Sequence, residues 1–252
     1  MKGTRCLIIQ MKRAVCSFRF VFACLGSAVL MYVTGVQYLT SGIDAIGVWG
    51  VVRGSGIFIM TLAILPLFPF SLSYAEEHNE KNLSFWVIRA GVKSYIMTKY
   101  IAAVLSGMLS YVVGTLLFIL ACSLRTSLFY HISSWDAYVS LLENGQIMLY
   151  LVVILIHFSF SAAIFCGLTM CVSVWFSNRF AAVILPMVVY FMIGRMMANM
   201  PWYFTIIGLI EGVVDAGTVG LSLLVKGAVS LVLLTVMAGL VLDGAERRMR
   251  NE

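Results

Sequence analysis

The sequence predicts an all-α membrane protein, and three observations carry that reading. Apolar residues make up 62% of the 252 residues and charged residues only 11%, whereas a soluble domain is about 45–50% apolar and about 25% charged. Mean hydropathy is +1.00. The apolar residues also fall in runs close to the roughly 20 residues that a helix needs to cross hydrocarbon. Too little polar surface remains to keep such a chain in water, which excludes a free aqueous enzyme, a secreted disulfide scaffold, a disordered tail and a nucleic-acid-binding domain. Cys24, Cys122, Cys166 and Cys171 lie inside apolar runs, with Cys6 and Cys16 in the basic N-terminal segment. They read as packing residues, not as a disulfide framework.

The N-terminal 19 residues place Leu7, Ile8, Met11 and Val15 on one helical stripe and Arg5, Lys12, Arg13 and Arg19 mostly elsewhere. This is the pattern of a helix lying among anionic head groups of the lipid bilayer. A signal peptide competes, because Val21-Phe22-Ala23-Cys24 resembles a lipoprotein cleavage box. Against it, Arg19 interrupts the apolar core and the run continues to Leu39, long enough to span. Six spans follow, at 20–39, 56–74, 100–124, 147–175, 180–197 and 223–242. Pro66 and Pro69 in the second and Pro186 in the fifth are expected kinks.

Orientation comes from the basic residues, since cationic loops stay on the cytoplasmic side during insertion. Of the 17 Lys and Arg, thirteen fall at one set of span ends, and only Arg53, Arg125, Arg195 and Lys226 fall at the other. Both termini are therefore expected in the cytoplasm. The formal charge of +6 becomes a topology signal, with no nucleic acid as partner.

The polar insertion at 74–100 holds three of the eleven acids and four of the 17 bases. It also keeps Leu83, Trp86 and Val87 at i, i+3, i+4, which a plain connector does not need. A short amphipathic helix at the cytoplasmic face is implied, with Ser94 placed to cap the helix entering the third span. Two uses compete on this pattern: a helix resting in the membrane surface, or one that docks its apolar residues into a groove on a cytoplasmic partner.

Glu76, Glu77, Asn82-Leu83, Arg89, Ser94-Tyr95 and Lys99 resemble the first cytoplasmic loop of ABC-2-type transporter permeases. Many members of that family carry Gly at the position of Asn82 and Pro near Ala90-Gly91. The resemblance implies that this loop is the coupling helix, seated on a P-loop ATP-binding subunit through Glu76, Glu77, Leu83, Trp86, Arg89, Lys93, Tyr95 and Lys99. It further implies a second permease chain, as homodimer or heterodimer, and location in the cell membrane. No cofactor is expected in this chain, since ATP and Mg²⁺ belong to the partner subunit. The chain itself has no phosphate-binding loop: Gly91-Val-Lys-Ser94 lacks the glycine before the lysine.

Between the last two spans, 201–220 is apolar but broken by Gly208, Gly212, Gly217 and Gly220. Its halves are too short to cross, so a re-entrant hairpin is expected, buried against protein or lining a wet cavity. The resembled family has such a pair of short helices gating the outer end of the path, and Arg195, Glu211 and Asp215 are the candidate outer-gate residues. The two acids fit an ion or cationic-substrate site, or mark where the hairpin surfaces into solvent. Pairing with either acid would relieve Arg195. His157, alone among apolar neighbours, reads as a packed, hydrogen-bonded residue, since no second ligand is spaced to complete a metal site.

Two other functions compete with transport. Glu76-Glu77-His-Asn-Glu-Lys81 superficially resembles the Glu-Glu-x-x-x-Arg signature of CAAX-type intramembrane proteases. Its sixth position is Lys, whose point charge does not replace the Arg fork, and only His157 is available as a buried His. An accessory or immunity-type membrane scaffold without a transport cycle is the third reading.

Overall fold

The structure, a computed structural model, describes residues 3–39, 42–80, 91–129, 136–176, 178–197, 199–201, 205, 208, 210–212 and 215–251. It is helical, with no strand among the described residues. The helices are α1 (Gly3–Val15), α2 (Phe18–Leu39), α3 (Ala45–Arg53), α4 (Phe58–Ala63), α5 (Ser73–Asn79), α6 (Val92–Ser123), α7 (Val139–Glu143), α8 (Ile147–Trp175), α9 (Arg179–Met196) and α10 (Val219–Asn251). Five of them, α2, α6, α8, α9 and α10, are long and apolar enough to cross a membrane.

Helix α6 organises the bundle. It runs for 32 residues, about 48 Å at 1.5 Å per residue, and packs against α1, α2, α8 and α10. Two glycines let it approach its neighbours closely. A Cβ at Gly114 would lie 2.7 Å from that of Ser27 on α2, and one at Gly107 would lie 2.2 Å from the Cys166 sulfur on α8. Neither position has room for a methyl group unless its neighbour moves. Helix α8 is the most enclosed, with 67% of its most apolar stretch buried against 22% for α9. The outer faces of α2, α9 and α10 are correspondingly lined with exposed Val, Leu, Ile and Phe.

The second predicted span, 56–74, is not one helix. Helices α3 and α4 bend by 86° at their break; a 3-10 turn at Leu65–Leu67 follows, and α5 begins at Ser73. Gly54 and Gly56 open the first break. At the second, Pro66 and Pro69 lack the N–H donors that a continuous helix needs. The chain still descends the length of α6 in these pieces: Val48 and Val52 cluster with Phe118, the Pro66 carbonyl lies opposite Gly107, Phe70 packs with Ala102 and Ala103, and Glu77 reaches Lys99. Helix α3 had no counterpart among the expected elements. Asp44 caps it by accepting from the Gly47 amide at 2.6 Å, and Ile46, Val48, Trp49 and Val52 are buried.

Three further expectations are extended or revised. Helix α1 lies along the first turns of α6, with Cys6 Sγ 3.2 Å from Thr98 Oγ1. Its buried residues are Cys6, Gln10 and Ala14, with Leu7 and Met11 only partly buried and Ile8 exposed, so the face between the apolar stripe and the bases packs on the bundle, a contact the expected head-group helix did not include. Ser94 does not cap α6: the helix begins at Val92 after Gly91, whose φ of 76° is one that a side chain disfavours. The last helix extends past the predicted 242 to Asn251. Of the expected coupling helix, residues 81–90 lie outside the described residues, as does much of 201–220.

Candidate functional site

Two polar networks lie in the bundle, one where α6 begins and one toward the end where it finishes. At the first, α5 presents Glu76 and Glu77 consecutively, about 100° apart around the helix, so each meets a different neighbour. Glu76 turns to the start of α2, where one Arg19 nitrogen donates to both carboxylate oxygens at 2.7 and 2.6 Å. Glu77 turns inward, 5% exposed, to Lys99, which is fully buried.

The Lys99 ammonium has three donors, and each finds an acceptor: the Ser73 carbonyl at 3.1 Å, the Tyr95 hydroxyl oxygen at 3.0 Å, and Glu77 Oε2. Tyr95, one turn before Lys99, donates its own hydroxyl to the same carboxylate oxygen. Arg13 of α1 completes the cluster, 3.0 Å from Glu77 Oε1. Burial alone would raise the Glu77 carboxyl's pKa. The Lys99 charge, the hydrogen bonds from Lys99 and Tyr95, and the Arg13 charge outweigh it, leaving the carboxyl below its ordinary range.

Glu76, Glu77, Tyr95 and Lys99 are thus brought together, and Lys93 is not. Lys93 is exposed and lies 3.6 Å from Glu246 on α10. Leu83, Trp86 and Arg89 lie outside the described residues. Arg13 and Arg19 were read as head-group charges and missed as partners. The signal available was the acidic pair itself, which needs counter-charges, and the arginine interrupting the first apolar run.

At the second network the candidate gate residues do not converge. Glu211 accepts from the Tyr190 hydroxyl at 2.6 Å, and Asp215 accepts from the amide of Gly217 in its own turn. Arg195 is exposed, and among the described residues no ion pair joins it to either acid. What holds this segment is a set of groups anchored on α8. His157 Nε2 lies 3.0 Å from the Gly212 carbonyl and Nδ1 lies 2.8 Å from the Tyr138 hydroxyl. A carbonyl only accepts, so Nε2 carries a hydrogen and the tyrosine donates to the other nitrogen of the neutral ring. Ser161 donates to the Ile210 carbonyl at 2.7 Å and accepts from Lys226 of α10 at 2.9 Å.

Beside them, Asp136 lies 3.0 Å from Arg53 and accepts from Tyr150 at 2.9 Å, while the Arg53 guanidinium lies 4.5 Å from the Trp49 ring centroid. His157 and the Glu76-Glu77 pair are held by separate partners. Among the described residues no group of three or more His, Cys, Asp or Glu is placed to hold a metal ion. Compared with known proteins, the chain matches no family model, no curated protein and no solved structure.

Proposed function

We propose that this chain is the membrane-spanning permease subunit of an ATP-binding cassette exporter of the ABC-2 type. Two permease chains pair around a path and bind two P-loop ATP-binding subunits, which hold the ATP and Mg²⁺. The thirteen basic residues at one set of ends favour cytoplasmic termini in the cell membrane. Six crossings result when the bent α3–α4 pair is counted as one.

The observation that carries this reading is the Glu77–Lys99–Tyr95–Arg13 cluster. It ties α1, α5 and α6 together on either side of residues 81–90, the stretch assigned to the coupling helix. A push on that stretch from closing ATPase subunits is delivered into α5 and α6 as one body, because a buried ion pair with every donor satisfied resists being pulled apart. Since α6 touches α1, α2, α8 and α10, its movement is passed to most of the bundle. No bond is made or broken in this chain; the work is conformational.

Purification in mild detergent tests the assembly, with a P-loop ATPase expected to remain bound. Trp86→Ala and Arg89→Glu should abolish export while the chain still inserts. Unchanged export in both variants would end the docking-helix assignment.

A further inference from the structure

We propose that a cavity between α8, α9 and α10 binds a hydrophobic organic cation, with Glu211 as the group that selects its charge. The cavity measures about 320 Å³ and is walled by Phe165, Leu168, Tyr190, Ile193, Ile210 and Met237, among others. That is roughly twice the ~150 Å³ apolar cavity that accommodates benzene, so two or three fused rings match its size. Such walls attract apolar bodies and discriminate weakly among them.

Discrimination comes from one edge. The Tyr190 ring is part of the wall, and the hydroxyl at its far end donates to Glu211 Oε1 at 2.6 Å. The carboxylate therefore stands one ring length from the cavity, and its chain neighbour Ile210 is itself a wall residue. Glu211 is half-buried, and among the described residues no Lys, Arg or His lies within ion-pair distance of it. Arg195 does not neutralise it. Two residues from both Ile193 and Met197, which line the cavity, Arg195 falls on the opposite side of α9 and is exposed.

The wall also contributes π-systems. Phe165 and Tyr190 meet edge to face with centroids 5.6 Å apart, and aromatic faces attract a partly desolvated cation. Apolar wall, paired rings and a carboxylate with no ion-pair partner among the described residues together complement an aromatic cation. A neutral aromatic gains only the wall, and an anion is repelled.

Binding here does not depend on the transport reading and is measured on the full chain in a neutral detergent. Ethidium, an aromatic cation, and phenanthridine, its uncharged parent ring, are titrated by fluorescence anisotropy. Saturable binding of ethidium is expected. Glu211→Gln should weaken ethidium by about tenfold or more, as expected for losing the attraction of a nearby charge across a poorly solvated wall, and leave phenanthridine unchanged. Glu211→Asp should keep most ethidium binding, Tyr190→Phe should keep the preference for the cation, and Leu168→Trp should abolish both ligands by filling the cavity. Ethidium binding that does not saturate, or that is equal in wild type and a folded Glu211→Gln variant, overturns the proposal. So does full ethidium binding by Leu168→Trp.

Discussion

The two ends of the bundle solve the problem of buried polarity in opposite ways. Where α6 begins, charge is matched with charge: Lys99 against Glu77, with Arg13 behind it. Toward the other end, His157 and Ser161 hold backbone carbonyls of residues 210–212, and the charged pair there, Arg53 with Asp136, stands beside them. Ion pairs join regular helices whose own backbone bonds are already made, so side chains must fix their relative position. A helix end is different: Ile210 is helical and is followed by a turn at Glu211 and a bend at Gly212, so carbonyls there lack helical partners and must be satisfied by neighbours when buried. The first network locks rigid bodies to one another; the second completes the backbone pairing where a helix ends.

The largest expected effect follows from breaking the first network on one side only. Glu77→Leu or Lys99→Met alone should cost about 3–5 kcal/mol, because each strands a buried charge, whereas the double replacement should recover much of the loss. Thermal unfolding in detergent of the two single variants and the double variant reads this directly. Equal loss in all three would mean that the pair acts through something other than charge balance.

A smaller effect is expected at the other end. His157→Leu removes two hydrogen bonds and leaves the Tyr138 hydroxyl and Gly212 carbonyl unpaired, a cost of roughly 1–3 kcal/mol. The damage should stay local, appearing as faster amide exchange and proteolysis around 205–217 with α1, α5 and α6 still protected.

Acid should produce the mildest separation of the two. Because the Glu77 carboxyl sits below its ordinary range when folded, the stability it contributes is complete at neutral pH. That contribution is lost as pH falls through the folded value, which lies below the ordinary carboxylate range. Protection factors, corrected for the intrinsic slowing of amide exchange in acid, should therefore fall in α1 and α5 as pH is lowered from 7, and Glu77→Gln should remove that pH dependence.

The sequence's legibility follows the same division. Long apolar runs announced α2, α6, α8, α9 and α10, since a hydrocarbon-length segment has few alternatives. The acidic pair Glu76 and Glu77 and, one turn apart on α6, Tyr95 and Lys99 stood out as polar residues beside apolar runs, and the structure places all four at one end of the bundle. The return path at 45–79 was not legible as pieces. Its hydropathy matches that of a span; Pro66 and Pro69 marked the second break, whereas whether Gly54 and Gly56 would open the first depends on contacts with α6 and α8. The α3 helix was hidden for the related reason that nine residues are too few to register as a span. Arg13 and Arg19 were hidden because a basic residue ahead of a span is consistent with lipid head groups and with an acidic partner alike. The carbonyl-holding roles of His157 and Ser161 were beyond reach, since backbone acceptors carry no sequence signature.

One contact along the broken return path has a use of its own. The Cys166 thiol, fully buried on α8, donates to the Pro66 carbonyl at 3.3 Å and fills the space that the missing side chain of Gly107 leaves. It thereby bridges the break, α6 and α8 at a single point. An alkylating reagent reaches that sulfur only when those three surfaces separate, while Cys16, exposed between α1 and α2, reacts at once. The ratio of the two labelling rates is a clock for how often the centre of the bundle opens, set by the chain's own cysteines and read without any added probe site.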